Sequence, residues 1–531
     1  MAWNNNLLKN LFAFAVFFAF WFGLFAYTGS VNSGYHFIDD HQIITLSQQL
    51  ITAPVHSVAK KLVLYDGRFR FRPLFSIHRV VMTKILGLNF TAWSVYTGLM
   101  GVFTSFFLFM FLRISGYSFI QSVLFGLLTL TGVQSVIWYQ YADAENLCMF
   151  FLSLSMFFLA KSIHSGGHKT KFDILFIAFL LASSLCKESF ILMIPAMLFL
   201  YLWMYSKKNN YGLLKSFKDN IYLAGIPSVI LIISLSYIIF FVGINKTGQT
   251  GVDNKIFSIM FLREFVYQIR QSTFFLTILF GAFIIIDYMI SNSQIHFNKE
   301  SFKKIVNEFA NITVSFLLII IPQYLLYYKS GMRDRYLLPY FLGFSFFLIY
   351  LLKRIDDSKD KPVSVKYLYL SMIVVLLFFQ IKNDTYPYLK VYADDSRATV
   401  KLLNSVISNT EKETIVAAVI DPVQNFEQGK SFMIYLRNFA DKKNINFKLT
   451  RREYVTDSFS DSSFYKSSER ATRVYFKREL FDSVKNREDI KCVVVFPKLE
   501  SKFLNENKDW FNKDNFRREE FDLYAVYYKK E

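Results

Sequence analysis

Long apolar runs alternate with short polar stretches over the first 382 residues of this 531-residue chain. A bilayer's hydrocarbon core is about 30 Å thick, so a spanning helix needs roughly 17–25 apolar residues. Runs of that size fall near 8–27, 91–113, 118–139, 145–161, 172–186, 189–206, 221–243, 271–290, 310–328, 336–352 and 367–381, about eleven in all, with the count over 172–206 open by one. The first run, "LLKNLFAFAVFFAFWFGLFAY", is longer than a signal-peptide core and has no clear small-residue cleavage site, so it reads as an anchor. Beyond Lys382 the pattern changes. "ETIVAAVID" (413–421), "DIKCVVVFP" (489–497) and "FDLYAVYYK" (521–529) have the length and bounds of strands. "DDSRATVKLLNSVIS" (394–408) has helical spacing and acids suited to a first turn. The expected fold class is a polytopic α-helical membrane protein of about 11 transmembrane helices (1–382) with a C-terminal extracytoplasmic α/β domain (383–531).

Composition agrees: 53% of residues are hydrophobic and 61 are phenylalanine. The formal charge of +19 raises nucleic acid as a partner, but Lys and Arg sit in short tracts between apolar runs, as in cytoplasmic loops and lipid contacts. No nucleic-acid partner is expected. Cys148, Cys186 and Cys492 offer no zinc-type spacing. The loops 161–171, 206–218, 298–304 and 353–366 are Lys-rich, whereas "QYADAEN" (140–146) and "CKES" (186–189) are poor in net positive charge. The positive-inside rule then puts the N-terminus in the cytoplasm. Outside lie the loop 28–90, the loop 244–270, "KSGMRDRY" (329–336) and the whole tail.

Candidate chemistry gathers on that outer side. "GYHFIDDHQIITL" (34–46) carries Asp39 and Asp40 between His36 and His41. The same loop continues through "GRFRFRPL" (67–74), with Arg68, Arg70 and Arg72, into an amphipathic helix expected from Pro73 to Leu86 in the interface. In an extended segment, the alternate arginines would share one face. Asp143 and Glu145 lie in "QYADAEN", Lys187 and Glu188 in "CKES", and Arg333 and Arg335 in "RDRYLLPY" (333–340). A carboxylate here can take a proton from a sugar hydroxyl, and arginines can hold a phosphate leaving group.

In this order and on this side, the motifs resemble the GT-C superfamily of polytopic glycosyltransferases, which use polyprenyl-phosphate sugars. "FIDDH" resembles the acidic pair after the first span. "GRFRFRPL" is similar to an Arg-Pro segment of protein O-mannosyltransferase relatives. "CKES" resembles a Lys-Glu motif and "RDRYLLPY" an Arg-Tyr-x-x-Pro motif. "QYADAEN" lacks the arginine that some relatives place there. The architecture also resembles bacterial members that modify O-antigen or cell-envelope glycans. The resemblance covers roughly residues 1–380 and implies a hexosyltransferase of the bacterial inner membrane with a periplasmic C-terminal domain. It implies Asp39 or Asp40 as general base, Asp39 favoured. Arg68, Arg70 and Arg72 would face the donor phosphate or the interface. Asp143 and Glu145 would bind sugar hydroxyls, Lys187 and Glu188 would contact phosphate and order the pocket, and Arg333 and Arg335 would complete the clamp. The partners implied are a polyprenyl-phosphate sugar donor, an acceptor glycan or glycolipid, and membrane lipids.

Plainer readings stand beside these. Asp39 and Asp40 suit a helix N-cap, and the arginines suit headgroup contacts or interface anchors. Carboxylates beside histidines suit Mg²⁺ or Mn²⁺, the weaker alternative to a site without cofactor. Asp356 and Asp357, on the cytoplasmic side, show how common an acidic dipeptide is. Rival functions are a glycan polymerase or ligase, which needs a large arginine-bearing late loop, and a lipid-linked sugar transporter, which places charges mid-span.

Overall fold

The structure, a computed structural model, describes residues 2–141, 143–164, 169–242, 272–291, 299–326, 334–357, 363–452, 463–476, 489–508 and 511–530. Two compact units divide the chain. One is built from Met1–Thr28, Val55–Val81 and Ser94–Leu389, the other from Gly29–Pro54, Met82–Trp93 and Lys390–Glu531.

Among the described residues, seven helices are long and apolar enough to cross a membrane: Leu7–Thr28, Phe90–Ile114, Glu145–His164, Glu188–Asn209, Ile221–Val242, Arg335–Asp357 and Val363–Ser408. Phe119–Leu130, Leu276–Asp287 and Ala310–Gln323 are shorter apolar helices. The chain is a multi-pass membrane protein, with fewer full-length spans among the described residues than eleven apolar runs suggest. The run 118–139 shows why. Its helix starts with a capping box on Ser118 and Gln121 but stops at Leu130. Gly132 follows at φ +103, where an added Cβ would lie 2.8 Å from the Gln134 Oε1, and Val133–Trp138 continues as a 3₁₀ turn. The stretch 172–206 is two helical segments parted near Lys187, whose backbone is extended (φ −160, ψ 142).

Hydroxyls and aromatic faces tie these helices together. Ser183 Oγ donates to the Cys148 carbonyl (2.8 Å) and Ser155 Oγ to that of Phe176 (3.0 Å). Phe158 stacks on Phe179 at 5.5 Å. Buried Asp173 accepts from Tyr201 (3.0 Å), Tyr222 (2.8 Å) and Ser162, joining four helical segments through one carboxylate.

The second unit holds a five-stranded sheet in the order β2-β1-β3-β5-β4. β1 (Ile415–Ile420) runs parallel to β2 (Ile445–Leu449) and β3 (Ile490–Val495), and β5 (Tyr524–Lys529) runs antiparallel to β3 and β4 (Phe516–Phe521). The apolar runs 413–421, 489–497 and 521–529 contain the three inner strands. Both edge strands escaped the hydrophobic pattern because edges carry polar side chains, as "FRREEF" does in β4. The helix Tyr386–Ser408 starts earlier than expected. Asp394 and Asp395 therefore lie in its interior rather than its first turn, and Asp394 pairs with Lys390 and Arg397 instead of the helix dipole.

This unit also takes in the segment after the first apolar helix. Phe37 is fully buried among Phe432, Tyr435, Phe496 and Tyr524, with ring centroids 5.7–6.1 Å away. Burial of one Phe contributes roughly 1.5–3 kcal/mol, so Gly29–Pro54 is fastened to the tail by its own core residue.

Candidate active site

Asp39 and Asp40 follow Phe37 directly, and their surroundings differ. Asp40 is 1% exposed. Its Oδ2 accepts from the His36 backbone N–H (2.8 Å) and from the Tyr392 hydroxyl (3.3 Å). Asp39 is half-buried, sits at φ +66, and accepts from Gln42 Nε2 at 3.3 Å. A left-handed backbone is unusual for a residue with a Cβ and persists where the surroundings impose it. Here Phe37 on one side and the helix His41–Thr52 on the other impose it. The helix does begin here with Asp40 at its N-cap, as the cap reading expects, but the Asp40 side chain makes no cap hydrogen bond.

Tail residues complete the mould. The His36 ring stacks on Tyr392 at 5.0 Å, with Nε2 3.8 Å from Asp395. Ser431 Oγ donates to the Phe37 carbonyl and lies 2.8 Å from His41 Nδ1. Tyr435 donates its hydroxyl proton to the His36 carbonyl. Burial, reinforced by the charge of Asp40, pushes the Tyr435 hydroxyl well above its ordinary pKa and keeps it a donor. Among the described residues, no three His, Cys, Asp or Glu side chains converge as metal ligands. His36 and His41 turn to Tyr392 and Ser431.

The membrane unit gathers the other candidates. Glu145 opens its helix, and its carboxylate accepts from Lys187 Nζ. Arg335 binds Asp143 through Nη1 and approaches Glu145 Oε1 through Nε at 3.4 Å. The Tyr336 ring lies 4.9 Å from Lys187 Nζ and 5.6 Å from the Arg335 guanidinium. Glu188 is buried beside Lys187, and its Oε2 has no hydrogen-bond partner among the described residues. Two carboxylates, Asp143 and Glu145, thus share two cations in a buried cluster, with Glu188 buried beside it. Each buried ion costs several kcal/mol unless compensated, which makes such a cluster at the starts of apolar helices a candidate site. Side-chain exposure grades its members: Asp143 2%, Glu145 4%, Lys187 6% and Arg335 25%. Arg335 alone of these four presents substantial surface to an incoming anion.

The arginines of "GRFRFRPL" part company. Residues 67–69 form a turn, so the extended segment with three arginines on one face is not found. Arg72 is claimed by Asp66 at 3.1 Å, which Ser76 also donates to. Arg68 is exposed and Arg70 half-buried. Beyond them the expected helix spans Pro73–Leu86, and Leu74 N–H donates to the carbonyl of Leu185, the residue before "CKES". Arg333 lies outside the described residues. Sequence reasoning missed Tyr392, Ser431 and Tyr435, whose spacing carries no motif.

No family model matches the chain, and neither does any curated protein. Two solved structures align over nearly its full length: ArnT from Cupriavidus metallidurans bound to undecaprenyl phosphate, and the same protein in the apo state. Identity is 11% and 12%, with 99% of this chain and 98% of that chain covered and a TM-score of 0.46 in each case. Likeness at that level leaves the functional reading to this chain's own residues.

Proposed function

We propose that this protein is a membrane glycosyltransferase that moves one hexose from a polyprenyl-phosphate donor to a hydroxyl of an acceptor glycan, such as O-antigen or another cell-envelope polysaccharide. The observation that carries the reading is the buried cluster of Asp143, Glu145, Lys187 and Arg335, with Arg335 its open member. A guanidinium held by carboxylates at the start of an apolar helix suits a phosphate whose lipid tail lies in the bilayer. Arg335 binds that phosphate, Lys187 and Glu145 fix its position, and Glu188 with Asp143 serves sugar hydroxyls. Arg68 and Arg70 meet donor phosphate or lipid headgroups.

Asp39 is the general base. The acceptor hydroxyl gives its proton to the Asp39 carboxylate as its oxygen bonds to the anomeric carbon. The bond from that carbon to the phosphate oxygen breaks, and its electron pair leaves with polyprenyl phosphate. The result is a single displacement with inversion. Arg335 offsets the charge gained by the leaving group. Asp40, buried and hydrogen-bonded, holds the loop rather than the proton. No metal takes part in this scheme. The Lys-rich loops support an inner-membrane protein with a cytoplasmic N-terminus and a periplasmic C-terminal domain.

The test uses purified full-length protein in lipid nanodiscs with polyprenyl-phosphate hexose and an acceptor glycolipid. Product without added energy is the expected result, and Asp39→Asn abolishes it. Sugar transfer at wild-type rate by folded Asp39→Asn and Asp40→Asn variants overturns the proposal. Movement of the intact donor across vesicles without transfer indicates a transporter instead.

A further inference from the structure

A second charged pocket lies at the other end of the same helices. Phe90–Ile114, Glu145–His164, Ile194–Asn209 and Leu338–Asp357 all bring their C-terminal ends to one cavity of about 240 Å³. Two of these helices have 20 residues, a length of roughly 30 Å. The cavity is thus a bilayer's thickness from Glu145 and Arg335. Trp203, Tyr350 and Phe346 give it an aromatic wall, and Lys207, Lys208, Lys353 and Arg354 surround it with Asp357 as the single carboxylate among the described residues.

These cations are not equivalent. Lys353 is 3.3 Å from Asp357 and donates to the Gly116 carbonyl at 2.9 Å. Lys208 donates to the Ile163 carbonyl. Lys207 Nζ lies 5.9 Å from the Trp203 ring centroid and 5.4 Å from that of Tyr350, with no carboxylate within ion-pair distance among the described residues. An ammonium leaning on two aromatic faces is partly stripped of water and gains more from an anion than a fully hydrated lysine does.

Basic residues at helix C-termini complement the helix dipole and, on a cytoplasmic face, satisfy the positive-inside rule. Neither effect calls for a cavity with an aromatic wall, or for four cations around one carboxylate. We propose that this pocket binds the phosphate headgroup of an anionic phospholipid, with Lys207 and Arg354 meeting the phosphate and the Trp203–Tyr350 wall taking the glycerol and upper acyl chain. Basic pockets between transmembrane helices at the cytoplasmic side hold such headgroups. The volume is below the roughly 300–1,000 Å³ of a typical small-molecule pocket, which favours a headgroup over a nucleotide.

Delipidated full-length protein in detergent is titrated with phosphatidylglycerol, phosphatidylcholine or inorganic phosphate, and bound ligand is counted by native mass spectrometry. Phosphatidylglycerol is expected to bind about tenfold more tightly than phosphatidylcholine, and Lys207→Gln with Arg354→Gln to remove about that factor. Lys207→Arg should keep the binding, as should Lys215→Gln on the helix Leu213–Asp219. Equal affinity of the wild type for the two lipids overturns the proposal whether or not the double variant folds. So does unchanged phosphatidylglycerol binding by a folded double variant. Competition by inorganic phosphate at equal affinity overturns the lipid as the source of the phosphate.

Discussion

The Tyr392 hydroxyl donates to Asp40 Oδ2 at 3.3 Å, joining residues 352 positions apart in the chain. The same tyrosine ring carries His36, whose backbone N–H is the second donor to that carboxylate oxygen. One residue of the tail therefore sets both the charge environment and the shape of the loop that presents Asp39. Tyr392→Phe removes the hydroxyl and keeps the ring. It is expected to cost about 1 kcal/mol of stability and to lower sugar transfer without abolishing it, as thermal unfolding and product assays on the same preparation will show.

Asp39 and Asp40 should separate by variant. Asp39→Gly suits the left-handed backbone, where a Cβ costs roughly 1–2 kcal/mol. The variant is expected to match or exceed wild-type stability while losing transfer by about 100-fold or more. Asp40→Asn weakens two buried hydrogen bonds and should destabilise by about 1–3 kcal/mol. Chemical denaturation monitored by circular dichroism, set beside initial rates, distinguishes an inactive folded variant from an unstable one.

The pair of Lys187 and Glu145 gives a third prediction. Lys187→Met leaves Glu145 buried with only the longer approach of Arg335, so a loss of roughly 3–5 kcal/mol is expected. Adding Glu145→Gln removes the stranded charge and should restore most of that stability but no activity. A double-mutant cycle read by melting temperature in detergent measures the coupling. Additive effects would mean that the two side chains do not act as a buried pair.

Acid sensitivity tests the tail. Glu500 receives a bidentate contact from Arg518 at 2.8 and 3.1 Å and the Tyr527 hydroxyl proton. The Arg518 hydrogen bonds hold its carboxyl below the ordinary 4.5, against the raising effect of burial. A carboxyl lowered in the folded state stabilises above its unfolded value, and that contribution is lost as pH falls through the folded value. Glu500→Gln should therefore melt earlier than wild type at pH 7, and the two should converge below pH 4.5. A difference in melting temperature that persists undiminished at pH 3 would place the effect elsewhere.

Hydrophobic spacing alone determined much of this protein. Spans such as Phe90–Ile114, the inner strands and the helix from Pro73 to Leu86 follow from it, since each needs only a local pattern and a solvent to bury it from. It also singled out Asp39, Asp40, Asp143, Glu145, Lys187, Glu188 and Arg335, because charges beside apolar runs stand out. Tertiary structure decided which partners each one meets. Asp40 became a buried anchor and Asp39 the half-buried carboxylate through Tyr392, Phe432 and Tyr435, distant residues that no spacing relates to "FIDDH". Arg72 was taken out of the arginine set by Asp66, and Arg335 became the open member of its cluster. The polar edge strands and the break at Gly132 depend on neighbours and backbone angles rather than on runs of like residues. A one-dimensional pattern records which residues avoid water, and only the fold determines which partners they meet once they do.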